Sequence, residues 1–393
     1  MLMRRRFMTS TAAGFAVAAS AKADTGTSGA SLDAILTPYL QRYTLPALAA
    51  AVVKDGHIIA SGAVGTRRFG ETIPVTIDDR FHIGSDTKAM TALLAGMLVE
   101  AGKLRWDITV AEAFPEFAAQ MDPRLRGVTL MQLLSHTSGM PSDNEAFMRL
   151  IQQSFTLADL NLDALRAWLV GEWSKQPLEA EPGSRFAYSN MGYVMAGSII
   201  ERAGGKTWEE LVSERVFDPL RLRTAGLGPQ SSLGRVDAPL GHAIREDGTL
   251  KPMLAGPYGD NPAVLGPAGT VHLSVLDFAA WAGWNAGEGK RGPALVRPET
   301  IRKLHAKVIS MERPDAPPGT PKSGGYGLGW GMLTPSYASG PVLQHAGSNG
   351  MNLASILVQP DHDFALVMTT NVGGKKADAA FLELTDALYK AYA

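Results

Sequence analysis

Cysteine is absent from the 393 residues, which excludes disulfides, thiolate metal ligands and a cysteine nucleophile together. Net charge is almost absent too. The 37 basic and 38 acidic residues leave a formal charge of −1, so no global field draws the chain to nucleic acid or anionic lipid. A small or neutral partner is the expectation. No stretch after the N-terminal leader approaches the ~20 uninterrupted apolar residues of a membrane helix. None of the eight histidines lies in His-Glu-x-x-His or another zinc spacing, and no metal is expected. In GGYGLGWG, Trp330 and Met332 fall where a dinucleotide fingerprint needs its closing glycine, so no nucleotide cofactor is expected either. Repeats, charge blocks and low-complexity linkers are also missing.

What is present is a chain that is 45% apolar, enough to fill a large core. Its first 23 residues stand apart. They carry Arg4-Arg5-Arg6-Phe7, a weakly apolar stretch over residues 11–19 and Ala21-Lys22-Ala23 as a small-x-small cleavage site. This pattern predicts an export signal, either twin-arginine-like or ordinary secretory, with a mature chain starting near Asp24 in the periplasm or outside the cell.

Periodicity divides the remainder by texture. Residues 31–43 and 377–392 place apolar side chains at helical spacing. Apolar runs at 47–53 and 58–64 flank Lys54-Asp55-Gly56-His57, a strong hairpin pattern. LASILV and FALVMTTN flank residues 359–363 in the same way. Between these ends, helical patterns dominate: residues 88–101 with Gly102 as C-cap, then 130–134, 160–170, 191–203 and 208–216. The expectation is an α/β fold of the α+β type. One antiparallel sheet is built from both chain ends (about 24–80 and 266–393) and flanked by helices, with a mainly helical region (about 81–265) inserted.

Three short segments carry residue types suited to chemistry. At 81–90 the chain reads FHIGSDTKAM, with Ser85 and Lys88 one helical turn apart, so an amine can reach the hydroxyl proton. The alternative is an N-cap serine followed by a solvated lysine. Gly84 permits a tight approach, and the following helix aims backbone N–H groups and its positive dipole end at Ser85 Oγ. In EPGSRFAYSNMGY, a Pro-Gly turn puts Tyr188-Ser189-Asn190 on a loop. A tyrosine beside a buried lysine can serve as a base, or it can be a core tyrosine with a satisfied hydroxyl. In VLQHAGSNGMNLASILV, Ala346 and Gly347 on a strand edge allow a substrate backbone to approach. His345 is either a titratable participant or a surface histidine ahead of a turn. Residues 346–350 nearly spell a Gly-x-Ser-x-Gly elbow, but a strand pattern follows where that elbow needs a helix. His136 reads as a structural histidine that satisfies a loop.

In this order, Ser85-x-x-Lys88, Tyr188-x-Asn190 and His345-x-Gly347 resemble the serine beta-lactamase-related family: class C beta-lactamases, D,D-peptidases, D-aminopeptidases and the esterases that share their fold. The resemblance extends to LLSHTSG at 133–139, Pro267-Ala268-Gly269 and GYGLGW at 325–330. It implies a beta-lactamase/transpeptidase-like fold and a Ser85 acyl-enzyme, formed when Lys88 and Tyr188 take the serine proton. It also implies an oxyanion hole from the Ser85 and Ser348 N–H groups beside Gly347, Asn190 orienting Lys88 and the substrate amide, and Tyr188 helping to activate the deacylating water. His345 is expected among the catalytic residues, with its strand on one side of the cleft mouth and Tyr188 on the other. A lysine near ~10.4 is a poor base at neutral pH, so the cleft must desolvate it. The beta-lactamases of the group usually begin the third motif with lysine, a permanent cation, where this chain has His345. That departure favours ester or peptide substrates over beta-lactams. A class C-like beta-lactamase and a penicillin- or peptidoglycan-binding protein without turnover are the alternatives, although a protein that only binds has no need of the base.

Overall fold

The computed structural model describes residues 29–157, 160–256 and 259–393; the expected export signal lies outside them. The strand Ala47–Lys54 is built from alanine, leucine and valine, and every residue before Lys54 is buried. A strand reads that way when both faces of its sheet are covered. Its residues alternate between two cores with the period of two that a strand imposes. Ala47, Ala49, Ala51 and Val53 face the helical region. Leu48, Ala50 and Val52 pack with Leu36, Phe381, Leu384 and Leu388 from the terminal helices Asp33–Tyr43 and Lys375–Tyr392.

Both expected hairpins form. Lys54 pairs with His57, and Asp55 and Gly56 between them have φ of 50° and 77°, the doubly left-handed turn that Asp-Gly tolerates. At the other end Gln359 pairs with Phe364 across the short turn Pro360–His362. Phe364–Thr370 then lies against Ala47–Lys54, so the two chain ends meet in the middle of a nine-stranded sheet. From that junction one side continues through His57–Gly65 to the edge Ala30–Ser31, the one parallel pairing of this sheet. The other side continues through Leu353–Gln359, Val342–Ser348, Gly331–Leu333 and Ser323–Tyr326 to Ile309–Glu312.

Two helices form the centre of the other layer. Thr87–Glu100 and Asn190–Gly204 pack on each other and are buried nearly all round, as helices with apolar residues on every face must be. Shorter helices begin at reciprocal caps: Thr109 with Glu112, Thr129 with Gln132 and Thr207 with Glu210, each pair satisfying two otherwise orphaned backbone donors. Arg166 is fully buried between Glu201 and Glu209 and donates to the Val264 carbonyl at 3.0 Å. One guanidinium thereby ties together three helices and the turn that precedes Pro267.

The segment 208–216 departs from the single helix expected. Trp208–Val212 gives way to the wider π turn Ser213–Phe217, ahead of Pro219, which has no N–H to continue the ladder. Strands also enter this part of the chain: Arg80–His82 and Gly226–Leu227 flank Val271–Ser274, and Gly241–Ile244 pairs with Leu250–Met253. At two to four residues they are too short for alternation to register in the sequence. Among the described residues, no helix is long and apolar enough to cross a membrane.

Candidate active site

Ser85 sits in the tight turn Gly84–Asp86, immediately before the helix Thr87–Glu100, and Gly84 adopts φ of 50°. No side chain caps this helix, so the N-cap alternative for Ser85 is set aside. Its hydroxyl meets two other groups. Tyr188 OH donates to Ser85 Oγ at 2.7 Å, and Lys88 Nζ lies 3.0 Å from the same oxygen.

Lys88 is completely buried. Its amine also donates to Asn190 Oδ1 and to the Ala268 carbonyl, each at 2.7 Å. Burial penalises the ammonium and brings its pKa down to about 7, with Asp143 and Asp86 holding it from falling further. A neutral amine fits these contacts well. Its two N–H bonds go to Asn190 and Ala268, and the lone pair is left facing the serine hydroxyl.

Tyr188 shows the opposite shift. Burial raises its phenol well above the ordinary value, and the bond to Ser85 only partly offsets this. The group is a phenol at neutral pH, so of the two groups the resemblance implied would take the serine proton, Tyr188 carries its own proton. Its ring packs 4.2 Å from that of His136. His136 accepts from the Ser189 N–H through Nδ1 (3.1 Å), and its carbonyl accepts from Ala187 N–H (2.7 Å). Burial holds this imidazole neutral. It is the structural histidine expected, and what it shapes is the Tyr188 loop.

The strand Val342–Ser348 closes the site. A Cβ at Gly347 would overlap the Ile83 carbonyl oxygen and lie 2.7 Å from Ser85 N, and a Cβ at Gly84 would overlap Ser348 N. The two glycines therefore let the strand lie directly on the serine turn, with the Ser85 and Ser348 backbones side by side. The Ser348 side chain is engaged elsewhere, donating to Asn352 O at 2.6 Å and accepting from Gly350 N at 3.0 Å. Gly347→Ala is expected to push the strand off the turn, lowering kcat for an activated ester by about 10²-fold and stability by about 1–3 kcal/mol. Steady-state kinetics beside a denaturant melt would check this; turnover like that of the unmodified protein would disprove the close packing.

A family model described as Beta-lactamase matches residues 32–390. The chain belongs to the Beta-lactamase family. It is a serine hydrolase of that family, with the mixed fold expected. "Penicillin-binding protein 4" of Amycolatopsis lactamdurans is 30% identical over 335 residues, which are 84% of this chain and 81% of that protein. "Protein flp" of Staphylococcus aureus is 22% identical over 88% of the chain, and the match spans 63% of its own length. Among solved structures, the octameric penicillin-binding protein homologue from Pyrococcus abyssi superposes with a TM-score of 0.73 at 26% identity, covering 91% of this chain and 77% of that one.

Within this Beta-lactamase-family site, His345 is not where it was expected. It is 6% exposed, with Nε2 3.0 Å from Tyr326 OH and Nδ1 3.0 Å from Ala346 O. Neither nitrogen bonds Ser85, Lys88 or Tyr188. Two residues of strand span ~7 Å, so with Gly347 against the serine turn His345 stands further along the strand, bonded to Tyr326.

Asn190 Oδ1 accepts from Lys88, and its Nδ2 donates to Asp143 Oδ2 at 2.7 Å, which uses one of the amide's two N–H donors and leaves the other for a substrate. Asp143 was not legible in the sequence, being an exposed loop residue without a motif. Asp86 was also missed. Its carboxyl is fully buried 3.5 Å from His345 Nδ1, and desolvation raises its pKa while His345 opposes the rise.

Proposed function

We propose that this chain hydrolyses a small ester or amide through an acyl-enzyme on Ser85, as an esterase or peptidase of the Beta-lactamase family. One observation carries the reading: a buried lysine with a pKa near neutrality and a buried, protonated tyrosine both contact the same serine oxygen.

The chemistry follows from those protonation states. Neutral Lys88 takes the Ser85 proton as Oγ bonds to the substrate carbonyl carbon, and the carbonyl π electrons move onto oxygen. The Ser85 and Ser348 N–H groups receive that oxyanion, with Gly347 allowing the approach. As the tetrahedral adduct collapses, the leaving alkoxide or amine takes the Tyr188 proton. Lys88, which flanks the same oxygen, returns one to the phenol. Water then repeats the sequence on the acyl-enzyme, its proton passing to the Lys88 and Tyr188 pair and the last one returning to Ser85 Oγ.

His345 supports the choice of substrate. It stands where the beta-lactamases of the group usually carry a lysine, and it is buried against Tyr326, so it offers no permanent cation for a beta-lactam carboxylate.

The test is mass spectrometry after separate exposures to p-nitrophenyl butyrate, nitrocefin and a D-Ala-D-Ala peptide, with product release followed in parallel. An adduct on the Ser85 peptide, with ester or peptide turned over faster than nitrocefin, is expected. Faster nitrocefin turnover would make the protein a beta-lactamase. An adduct that never turns over would make it a penicillin-binding protein, and no adduct would overturn the nucleophile assignment.

Export is part of the same proposal, supported by the arginine run and Ala21-Lys22-Ala23. N-terminal sequencing of the processed protein is expected to begin near Asp24; an intact leader on the exported protein would contradict it.

A further inference from the structure

Two segments distant in the chain must keep a fixed spacing if the Ser85 and Ser348 N–H groups are to hold one oxyanion. Donors in such a site act at 2.7–3.1 Å from the oxygen. Gly84 and Gly347 set how closely the segments approach, but steric contact alone does not prevent them from parting.

A second set of contacts links them. His82 Nδ1 accepts from the Gly84 N–H at 3.1 Å, which leaves the ring proton of the neutral imidazole on Nε2. Nε2 lies 2.7 Å from Asp260 Oδ1, with the N–H pointing off the direct line, and the two side chains are 0% and 3% exposed. The same carboxylate oxygen accepts from Asn349 Nδ2 at 2.9 Å. Asn349 Oδ1 in turn accepts from Met351 N (3.1 Å) and Asn352 Nδ2 (3.0 Å), and Asn352 Oδ1 accepts from Gln230 Nε2 at 2.8 Å. The turn after Ser348 is therefore pinned at several points, and one buried oxygen joins it to the residue two before Gly84.

Burying a carboxylate is costly, and apolar packing often holds a loop as well. Asp260 reaches both flanks of the oxyanion site, which sheet pairing does not require.

We propose that Asp260, acting through His82 and Asn349, is a positioning residue that sets the spacing of the Ser85 and Ser348 N–H groups. This rests on the Ser85 acyl-enzyme reading. The glycines fix the lower limit of the spacing and Asp260 the upper.

The test compares Asp260→Ala, Asp260→Asn and Asn349→Ala in the full chain. It reads kcat and KM for p-nitrophenyl butyrate, affinity for butylboronic acid and the thermal midpoint. The boronate becomes tetrahedral and anionic on serine, so its affinity reports the oxyanion site, which a purely structural loss does not single out. Asp260→Ala is expected to lower kcat and boronate affinity by about 10²-fold, with KM within about 2-fold. Asp260→Asn, which keeps the oxygen that accepts from Asn349 Nδ2 and lies beside His82 Nε2, should stay within a few-fold of the unmodified protein. Asn349→Ala, cutting one arm only, should lose about 10-fold in both readouts and serves if Asp260→Ala does not fold.

Unchanged kcat and boronate affinity in a folded Asp260→Ala or Asn349→Ala protein would overturn the proposal. So would equal losses in Asp260→Asn and Asp260→Ala. Absence of any Ser85 adduct in the unmodified protein would instead remove the acyl-enzyme reading beneath it.

Discussion

Ser85→Ala is expected to lower hydrolysis of p-nitrophenyl butyrate by at least about 10³-fold, as losing the nucleophile of a serine hydrolase does. The acyl adduct should vanish with it, because among the described residues no other hydroxyl bonds both Lys88 and Tyr188. The fold should survive. Lys88 keeps the acceptors of both its N–H bonds, Asn190 Oδ1 and Ala268 O, while its lone pair and the Tyr188 hydroxyl lose the serine as partner. One such bond is worth about 1 kcal/mol, a shift of about 2–4 °C in thermal midpoint for a domain somewhat smaller than this one. Intact-mass analysis, ester kinetics and a melt on the same preparation separate lost chemistry from lost structure. More than about one hundredth of the original turnover in a folded Ser85→Ala protein would rule out Ser85 as the nucleophile.

Residues whose neighbours are set locally were readable in the sequence. Asp55-Gly56 fixes its own turn, and the apolar spacing of residues 88–101 fixes a helix that puts Lys88 one turn from Ser85. The motifs then named Tyr188 and Asn190, which tertiary structure brings to the same oxygen and amine. What was not readable depends on which face a residue meets. Asp86 is the neighbour of Ser85 in FHIGSDTKAM, yet only the folded strand places His345 3.5 Å from it. His82 gives no sign of its role until Asp260 arrives from a loop far along the chain. His345 itself was misplaced because its motif was read as a unit. On a strand, Gly347 and His345 share a face but stand ~7 Å apart, and only one can occupy the serine turn.

Lys88→Arg is expected to reduce acylation by at least about 10³-fold, even though it keeps a cation at the position. The base must release its proton to work, and a guanidinium does not do so in proteins. The pH dependence of the unmodified enzyme tests the same point. Burial brings Lys88 to about 7, so below that pH the amine is protonated and cannot accept from Ser85. The sign follows: kcat/KM for ester should rise about tenfold per pH unit below 7 and level off above it. Burial keeps the Tyr188 phenol protonated, so the plateau should extend through pH 9 with no loss from ionised tyrosine. Were Lys88 an ordinary lysine, the rising limb would continue to about pH 10. A flat profile from pH 5 to 9, or substantial activity in Lys88→Arg, would show that the serine proton leaves by another route. The pH profile on ester therefore separates a desolvated lysine base from a merely structural lysine, without any substitution that risks the packing around Asn190.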